Sequence, residues 1–216
     1  MILIPKTHAE WLQARKYGLG ASDAGAVLGV NHWKTNYQLW EEKTGRKEAE
    51  DISGKPQVQY GHEAEQYIRG LFALDNPEYQ VEYISPYKMI FHDEWSWLFC
   101  TPDGELTEKN TGRKGILEIK TTEIMNSNQW KEWDGRVPNS YYAQILHQLI
   151  ATGWDFAILK ARIKYRKDGV IRIAERQYTI EAEDVRDDMQ YLLDKEKEFW
   201  QCVGEKKEPP IILPNI

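Results

Sequence analysis

The segments TPDG (residues 101–104) and GILEIKT (residues 115–121) decide the fold of this chain and suggest its chemistry. The first segment places Asp103 at a turn, and the second places Glu118 and Lys120 two positions apart in an apolar run. Because strand side chains alternate between faces, Glu118 and Lys120 point to one side of a sheet and their apolar neighbours to the other. Two acids and a lysine at a sheet edge would offer Mg²⁺ hard oxygen ligands beside a cation, a combination that suits phosphodiester hydrolysis.

Each segment is weak by itself, since Pro-Asp-Gly is common turn chemistry and polar–apolar alternation describes any half-exposed strand. The combination is more informative, because the ends of apolar strands do not accept two carboxylates unless something cationic compensates them. The joint pattern therefore favours a metal site over an accidental surface arrangement.

A third carboxylate is expected on the helix predicted at about residues 58–74. Glu65 shares a stripe with Ile68 at helical spacing, and Gly61 one turn earlier permits close approach to the sheet. Glu63 is displaced from that stripe by about 200°, at ~100° per residue. Glu65 is therefore favoured over Glu63, with a solvated helix glutamate as the alternative interpretation.

Two further polar groups are candidates for secondary roles. Tyr141 and Gln144 share a helix face with Gln148, where an uncharged amide and a phenol could order a water or a lysine. From the residues alone they are interpreted as polar residues at the edge of the core.

Arg15 and Ser22 flank the glycine-punctuated turn of residues 18–20. Glycines, a hydroxyl, nearby cations including Lys16, and a helix N-terminus form a plausible phosphate-binding concavity. The segment lacks the Gly-Lys-Ser/Thr of a P-loop.

The predicted elements alternate between helices and strands in an order that indicates an α/β layer with a mixed sheet. Helices are predicted over residues 7–17, 37–44, 58–74, 123–133, 140–152 and 183–203, with a short one ending near residue 29. Strands are predicted over residues 81–84, 87–92, 97–101, 115–121, 156–165 and 171–180.

Length and composition predict one soluble domain over residues 1–216, since 41% of residues are hydrophobic and 29% are charged. Cys100 and Cys202 give neither a disulfide framework nor zinc-ligand spacing, which predicts a reducing cytoplasm. Nothing near the start resembles a signal peptide, and no apolar run is long enough to span a membrane. The nine tryptophans and twelve tyrosines are interpreted first as core and interface mass, and second as stacking surfaces.

The net charge of −6 argues against a protein that coats DNA through a generally basic surface. It does not exclude a nuclease, because acidic metal ligands and an acidic exterior can coexist with a local basic groove.

With these residues in view, the chain resembles the YqaJ-type viral recombinase family, the lambda-type phage exonucleases of the PD-(D/E)xK nuclease superfamily. The resemblance extends over nearly the whole chain, and the order and spacing of its segments agree. The segments are GLGASDA (18–24), WKT (33–35), LWEEKTG (39–45), GxxxE (61–65), PDG (102–104), ExK (118–120) and YYAQ (141–144).

The resemblance implies a single-domain, restriction-endonuclease-like α/β fold with a mixed central sheet flanked by helices. It also implies a Mg²⁺-dependent 5′→3′ exonuclease on linear double-stranded DNA, with one or two ions and with Mn²⁺ as a substitute. The product would be a 3′ single strand for phage-type recombination, passed to a phage single-strand annealing protein. A homotrimeric ring around DNA, a phage or prophage origin and a bacterial cytoplasm complete what is implied.

The family pattern also assigns roles at the metal site. Asp103 and Glu118 would be the principal ligands, together with the carbonyl oxygen of Ile119. Glu65 would act directly or through water, and Lys120 would orient or activate the attacking water.

Further roles follow from the same pattern. Gln144 and Tyr141 would support the site and the scissile phosphate, and Arg15 and Ser22 would hold the 5′-phosphate of the processed strand. His62, beside the third acid, is expected to face outward. Ala21 and the Asn-His pair at residues 31–32 depart mildly from the commonest family pattern.

Two alternatives stay open. One is a nuclease of the same superfamily that acts as an endonuclease in repair or restriction, which would not need a DNA end. The other is a non-catalytic DNA-binding or assembly subunit on the same fold, which would be expected to have lost one of Asp103, Glu118 and Lys120.

Overall fold

The computed structural model describes residues 1–213, which form nine strands and seven α-helices. The strands are β1 (Ile2–Leu3), β2 (Leu19–Gly20), β3 (Tyr79–Glu82), β4 (Met89–Phe91), β5 (Leu98–Cys100), β6 (Gly104–Glu108), β7 (Lys114–Ile124), β8 (Phe156–Lys167) and β9 (Val170–Glu181). The helices are α1 (His8–Arg15), α2 (Ala24–Val27), α3 (Asn36–Lys43), α4 (Pro56–Asp75), α5 (Ser127–Lys131), α6 (Asn139–Thr152) and α7 (Arg186–Gly204).

The main sheet has five strands in the order β3-β6-β7-β8-β9. Its central pair, β7 and β8, is parallel over ten registered positions, from Gly115 opposite Phe156 to Ile124 opposite Tyr165. The other pairs are antiparallel, so the sheet is mixed as the sequence predicts. A parallel pair needs a long crossover connection, and α6 supplies it.

Both faces of the central strands are covered, which explains why these strands are nearly continuous apolar runs. On one face Ile116 of β7 and Leu159 of β8 pack in a cluster that includes Ile145 of α6. On the other face Leu117 of β7 packs with Phe72 of α4. The sheet is therefore a layer between α4 and α6, and both helices carry candidate site residues.

A second sheet has four short strands in the order β1-β4-β5-β2. It is also mixed, because β2 runs parallel to β5 with Leu19 opposite Leu98, whereas β4 is antiparallel to both of its neighbours. Strand β5 ends at Cys100, and the chain then enters the turn that contains Asp103.

Strand β6 pairs with only the first part of β7. The registered pairs run from Thr107 opposite Lys114 to Gly104 opposite Leu117. Beyond Leu117, β7 continues to Ile124 with β8 as its paired neighbour. The edge of β7 that β6 leaves free begins at Glu118, which is where the candidate site opens between α4 and α6.

Most predicted elements are confirmed, and the differences have physical causes. The helix predicted over residues 123–133 shortens to α5, because β8 keeps β7 extended as far as Ile124 and Asn126 then caps the helix. Strands β1, β2 and β6 were not predicted, since two have only two residues and β6 (GELTE) lacks a clear apolar alternation. No helix among residues 1–213 is both long enough and apolar enough to cross a membrane.

Helix starts were predicted well. Thr7 accepts a hydrogen bond from the backbone N–H of Glu10, and Thr35 forms a complete capping box with Gln38. Helix α1 ends at Arg15 rather than at Tyr17.

A buried ionisable pair joins α6 to α7 and to the second sheet. His147 and Glu196 are both inaccessible to solvent. Nδ1 of His147 lies 2.6 Å from Oε1 of Glu196, and Nε2 lies 2.8 Å from the carbonyl oxygen of Phe99. Burial lowers the pKa of His147, but the Glu196 carboxylate and the Phe99 carbonyl outweigh it, so the net shift is upward.

The free energy of unfolding should therefore fall as the pH rises above about 6.5, the ordinary pKa of histidine. A histidine with a raised folded-state pKa stabilises the fold fully below its unfolded pKa, and that contribution is lost as the pH passes the folded pKa. His147→Leu should remove this part of the pH dependence and destabilise by about 3–5 kcal/mol, because Glu196 is left buried and unpaired. Urea unfolding between pH 5.5 and 8.5 measures both effects.

The double variant His147→Leu/Glu196→Leu is the matched control, and it should recover much of the lost stability by replacing both charges with apolar groups. The charged-pair interpretation would be contradicted if the free energy of unfolding of the wild type did not change between pH 6 and 8.5. It would also be contradicted if His147→Leu kept the same dependence of this free energy on pH as the wild type.

Candidate active site

Asp103 is fixed to β7 where β6 stops pairing. Its Oδ2 accepts a hydrogen bond of 2.8 Å from the backbone N–H of Ile119, and its own carbonyl accepts one of 2.6 Å from Arg69 of α4. The Asp103 carboxylate thus accepts the hydrogen bond from β7 that the backbone of one more paired residue of β6 would otherwise accept. This brings the turn aspartate beside Glu118, as the sequence predicts.

Glu118 is only 2% exposed, and both of its carboxylate oxygens are engaged. Oε1 lies 2.6 Å from Nε2 of Gln144 and 2.5 Å from Nζ of Lys120. Oε2 accepts a hydrogen bond of 2.6 Å from Nε2 of Gln148. Two amides and an ammonium group together compensate the burial of this carboxylate.

Lys120 lies between the acids and an aromatic ring. Its Nζ is 5.3 Å from the ring centroid of Tyr141, within the range of a cation–π contact. Burial lowers its pKa, but the carboxylates of Glu118 and Asp103 outweigh burial and raise the pKa above its usual value. Lys120 is therefore a protonated cation, suited to stabilising negative charge.

Burial and mutual repulsion make the remaining carboxyl groups, those of Asp103 and Glu65, resist ionisation. Burial, followed by the Glu118 and Glu65 carboxylates, raises the pKa of Asp103 well above its usual value. Burial and the Glu118 carboxylate also raise the pKa of Glu65, against the opposing effects of His62 and Lys120. Mutually repelling carboxylates that open to one crevice are a donor set that fits a hard divalent cation.

These side chains are not arranged as a ready-made ligand cage. Within residues 1–213, no three His, Cys, Asp or Glu side chains come together closely enough to form one. The reason lies in the hydrogen bonds above, since Glu118 faces its amide and ammonium donors and Asp103 faces a backbone N–H. A cation would compete with Lys120 for Oε1 of Glu118.

Helix α4 approaches β7 closely enough for Glu65 to reach the site. A Cβ added to Gly61 would lie 3.2 Å from Oγ1 of Thr121, so the helix rests almost directly on the strand. Glu65 is half-buried, whereas Glu63 is exposed. His62 is 73% exposed, with Nδ1 3.8 Å from Oε1 of Glu65. It faces outward, as expected.

Arg15 and Ser22 form a separate cluster beside the second sheet. Arg15 donates a hydrogen bond of 2.9 Å to Oγ of Ser22, and its guanidinium lies 4.7 Å from the ring centroid of Trp11. Ser22 and the guanidinium are therefore already paired, with an aromatic ring alongside. The arrangement offers an anion one cation and one hydroxyl.

Asp23 has a structural role in this cluster. Its Oδ2 accepts a hydrogen bond from the backbone N–H of Gly20. The same oxygen forms an ion pair with Nζ of Lys43, 2.8 Å away. Burial raises its pKa, but the cations Lys43 and Arg15 outweigh burial and hold it well below the usual range. A Cβ at Gly18 would lie 2.3 Å from the carbonyl oxygen of Trp97, so this glycine is required for packing against the chain entering β5.

Sequence reasoning left two contacts of the site unassigned. The sequence places Gln148 on the same helix face as Gln144 without indicating its partner, whereas in the structure its amide donates a hydrogen bond to Oε2 of Glu118. No sequence motif indicates Arg69, although it lies four residues after Glu65 on the same helix and donates a hydrogen bond to the carbonyl oxygen of Asp103. In both cases the i, i+4 spacing was the available signal.

The chain is similar to known proteins in both sequence and fold. The family model of the YqaJ-like viral recombinase domain matches residues 10–155. The uncharacterized protein YqaJ of Bacillus subtilis is 30% identical over 147 residues, which are 68% of this chain and 43% of that protein. The chain therefore spans less than half the length of this relative.

Two crystal structures of one protein share the fold. An alkaline exonuclease from Laribacter hongkongensis, LHK-Exo, superposes with a TM-score of 0.64 and 20% identity. Its complex with dAMP gives a TM-score of 0.65 and 19% identity. Each match covers 92% of this chain and 93% of the other. The predicted fold class is thus confirmed.

The melting temperature of the chain should be higher in Mg²⁺ than in EDTA, because a bound cation would offset the repulsion among the three carboxylates. A ligand at about 100 times its Kd adds about 2.7 kcal/mol to the stability of the state that binds it. Glu118→Gln should lose most of this shift, whereas Glu63→Gln, an exposed glutamate of α4, should keep it. Scanning fluorimetry measures the three proteins; equal melting temperatures for the wild type in EDTA, Mg²⁺ and Mn²⁺ would contradict a metal site here.

Proposed function

This chain belongs to the YqaJ-like viral recombinase family, and we propose that it is a metal-dependent exonuclease acting on the ends of linear double-stranded DNA. The observation that carries the proposal is the group of Asp103, Glu118 and Lys120 at the free edge of β7. A fold shared with an alkaline exonuclease supports it. We further propose digestion from 5′ to 3′, which leaves a 3′ single strand for annealing.

Mg²⁺ is the proposed ion, with Mn²⁺ as a substitute. Asp103, Glu118, the carbonyl oxygen of Ile119 and Glu65 would hold one or two ions at the crevice. When bound, such an ion polarises a phosphoryl oxygen and lowers the pKa of a water molecule.

The chain's own residues would prepare the reaction in three ways. Gln144 and Gln148 fix the rotamer of Glu118 from both sides, so the carboxylate needs little reorganisation. Lys120, held protonated by the acids beside it, would orient the attacking water and stabilise the charge that develops on the phosphate. Tyr141 would limit the positions open to the ammonium group.

A 5′-phosphate pocket is proposed at Arg15 and Ser22. The guanidinium supplies a charge-assisted donor for a terminal phosphate, and the hydroxyl supplies a second donor. A phosphorylated end would therefore be held while the adjacent bond is cut.

Assembly and partners complete the proposal. A homotrimeric ring would let an acidic chain hold DNA in a positive channel, with processivity supplied by topology as well as affinity. The 3′ strand would pass to a phage-type single-strand annealing protein in a bacterial cytoplasm. Recombination of phage or prophage DNA is the corresponding biological role.

The decisive experiment supplies the purified chain with Mg²⁺, or with EDTA as control. The substrates are linear duplex labelled at the 5′ or the 3′ end, and covalently closed circular plasmid. Early release of the 5′ label with an intact circle is expected. Cutting of the circle would instead indicate an endonuclease, and no Mg²⁺-dependent cleavage of either would indicate a binding or assembly subunit.

Lys120→Met should lower kcat by about 10²–10³-fold or more, because the charge it stabilises develops in the transition state. Glu118→Gln, which retains the shape of the side chain, should lower it at least as much. Lys114→Met is the matched control, since this exposed lysine begins the same strand and donates to Thr107. Circular dichroism checks the fold. Digestion by either site variant at the wild-type rate would remove these residues from the mechanism.

Arg15→Ala should slow the digestion of 5′-phosphorylated ends more than that of 5′-hydroxyl ends, because only the former carry the group it would bind. Lys47→Ala, which removes an exposed cation just after α3 and outside this cluster, should slow neither substrate selectively. The measurement is the ratio of the initial digestion rate on the 5′-phosphorylated duplex to that on the 5′-hydroxyl duplex, for each variant and the wild type. If Arg15→Ala slows both ends equally, the pocket lies elsewhere.

A further inference from the structure

The β-hairpin of β8 and β9 concentrates positive charge in an otherwise acidic chain. Residues 160–176 contain seven lysines and arginines and two acids, a net charge of +5 in a protein whose total is −6. The rest of the chain therefore carries −11. The basic residues are Lys160, Arg162, Lys164, Arg166, Lys167, Arg172 and Arg176.

Internal ion pairs neutralise only the base of the hairpin. Glu175 lies 3.0 Å from both Lys160 and Arg162. Toward the turn, Arg166, Lys167 and Arg172 are exposed, and within residues 1–213 they are in no salt bridge. These cations are therefore available to an external anion.

Protection of a sheet edge does not account for this charge. Cations on an edge strand block pairing with other chains. Five of the seven, however, lie on β8, which is paired on both sides by β7 and β9. The edge strand β9 meanwhile exposes apolar side chains, Ile171 at 56% and Ile173 at 45%.

The hairpin begins beside the candidate active site and extends beyond it. Ala161 of β8 is opposite Lys120 of β7, and the two strands are parallel. The six residue-to-residue steps from Ala161 to Lys167 span about 20 Å at ~3.3 Å per step. One strand of duplex DNA carries a phosphate about every 3.4 Å along the axis, so this length covers about six base pairs.

Helix α4 braces the same hairpin. Nζ of Lys164 lies 3.2 Å from the ring centroid of Tyr60, in the first turns of the helix that also carries Glu65. The hairpin is thus attached to a helix that lines the candidate active site.

We propose that the β8–β9 hairpin is a basic arm that contacts backbone phosphates of the duplex beyond the nucleotide being removed. The inference rests on the proposed function, because it takes duplex DNA as the substrate of the site beside β7. Contacts from lysine and arginine to phosphates position a duplex without reading its sequence. Such an arm suits an enzyme that must process any end.

The test is the triple variant Arg166→Gln/Lys167→Gln/Arg172→Gln. Its affinity for a fluorescent 30-base-pair duplex is measured by anisotropy in EDTA over a series of salt concentrations. Each lost phosphate contact should reduce the slope of log K against log salt by about 0.9, so the slope should fall by nearly 3 and the affinity by about tenfold or more. In Mg²⁺ the KM for DNA should rise while kcat stays unchanged.

Arg186→Gln/Lys195→Gln/Lys207→Gln is the matched control. It makes the same change of charge on α7 and just after it, and should leave the slope, the affinity and the KM unchanged. The three single hairpin variants repeat the test with less perturbation, and each should reduce the slope by about 1.

Unchanged affinity and slope in the hairpin variants would overturn the arm. So would a change in oligomeric state at unchanged DNA affinity, which would make the hairpin an interface between copies. A wild-type chain that binds DNA through the hairpin but cleaves nothing would support the arm and overturn the proposed nuclease. If the triple hairpin variant cleaves DNA at the wild-type kcat and KM, the basic arm is contradicted and the proposed nuclease function is not.

Discussion

The burial of the Glu118 carboxylate is the constraint on which the site depends. A carboxylate that is 2% exposed must find donors inside the protein, because water cannot solvate it. Two come from α6, as Gln144 and Gln148, and the third is Lys120 on the same strand. The crossover connection from β7 to β8 therefore serves the chemistry of the site as well as the topology of the sheet, because its helix α6 places both amides against the Glu118 side chain on β7.

The parts of the site that could be predicted are those in which local pattern and tertiary structure agree. The alternation around Glu118 indicates a strand with two faces, and the stripe through Gly61 and Glu65 indicates a helix lying close to it. Both were found, because the apolar neighbours that define each pattern are the residues that pack in the core. The i, i+4 relation of Gln144 and Gln148 identified a shared face but not its target.

Other features depend on long-range pairing and could not be predicted locally. The sequence around residues 123–133 predicts a helix that begins at residue 123, whereas pairing with β8 keeps the chain extended as far as Ile124. Strand β6 has little apolar alternation and is defined by its two neighbours, β3 and β7. The basic residues of the hairpin were visible one by one, but their relation to Lys120 required the register of β7 and β8.

The limited pairing of β6 with β7 also restricts how the chain can vary. Gly104 is opposite Leu117, and Asp103 bonds to the next free amide, that of Ile119. The connecting turn at residues 109–113 sets this register, and a slip of one residue would direct the aspartate to the opposite face of the sheet. The length of this turn is therefore as tightly constrained as the acids themselves, and Gly112, at a φ of 76°, further restricts its sequence.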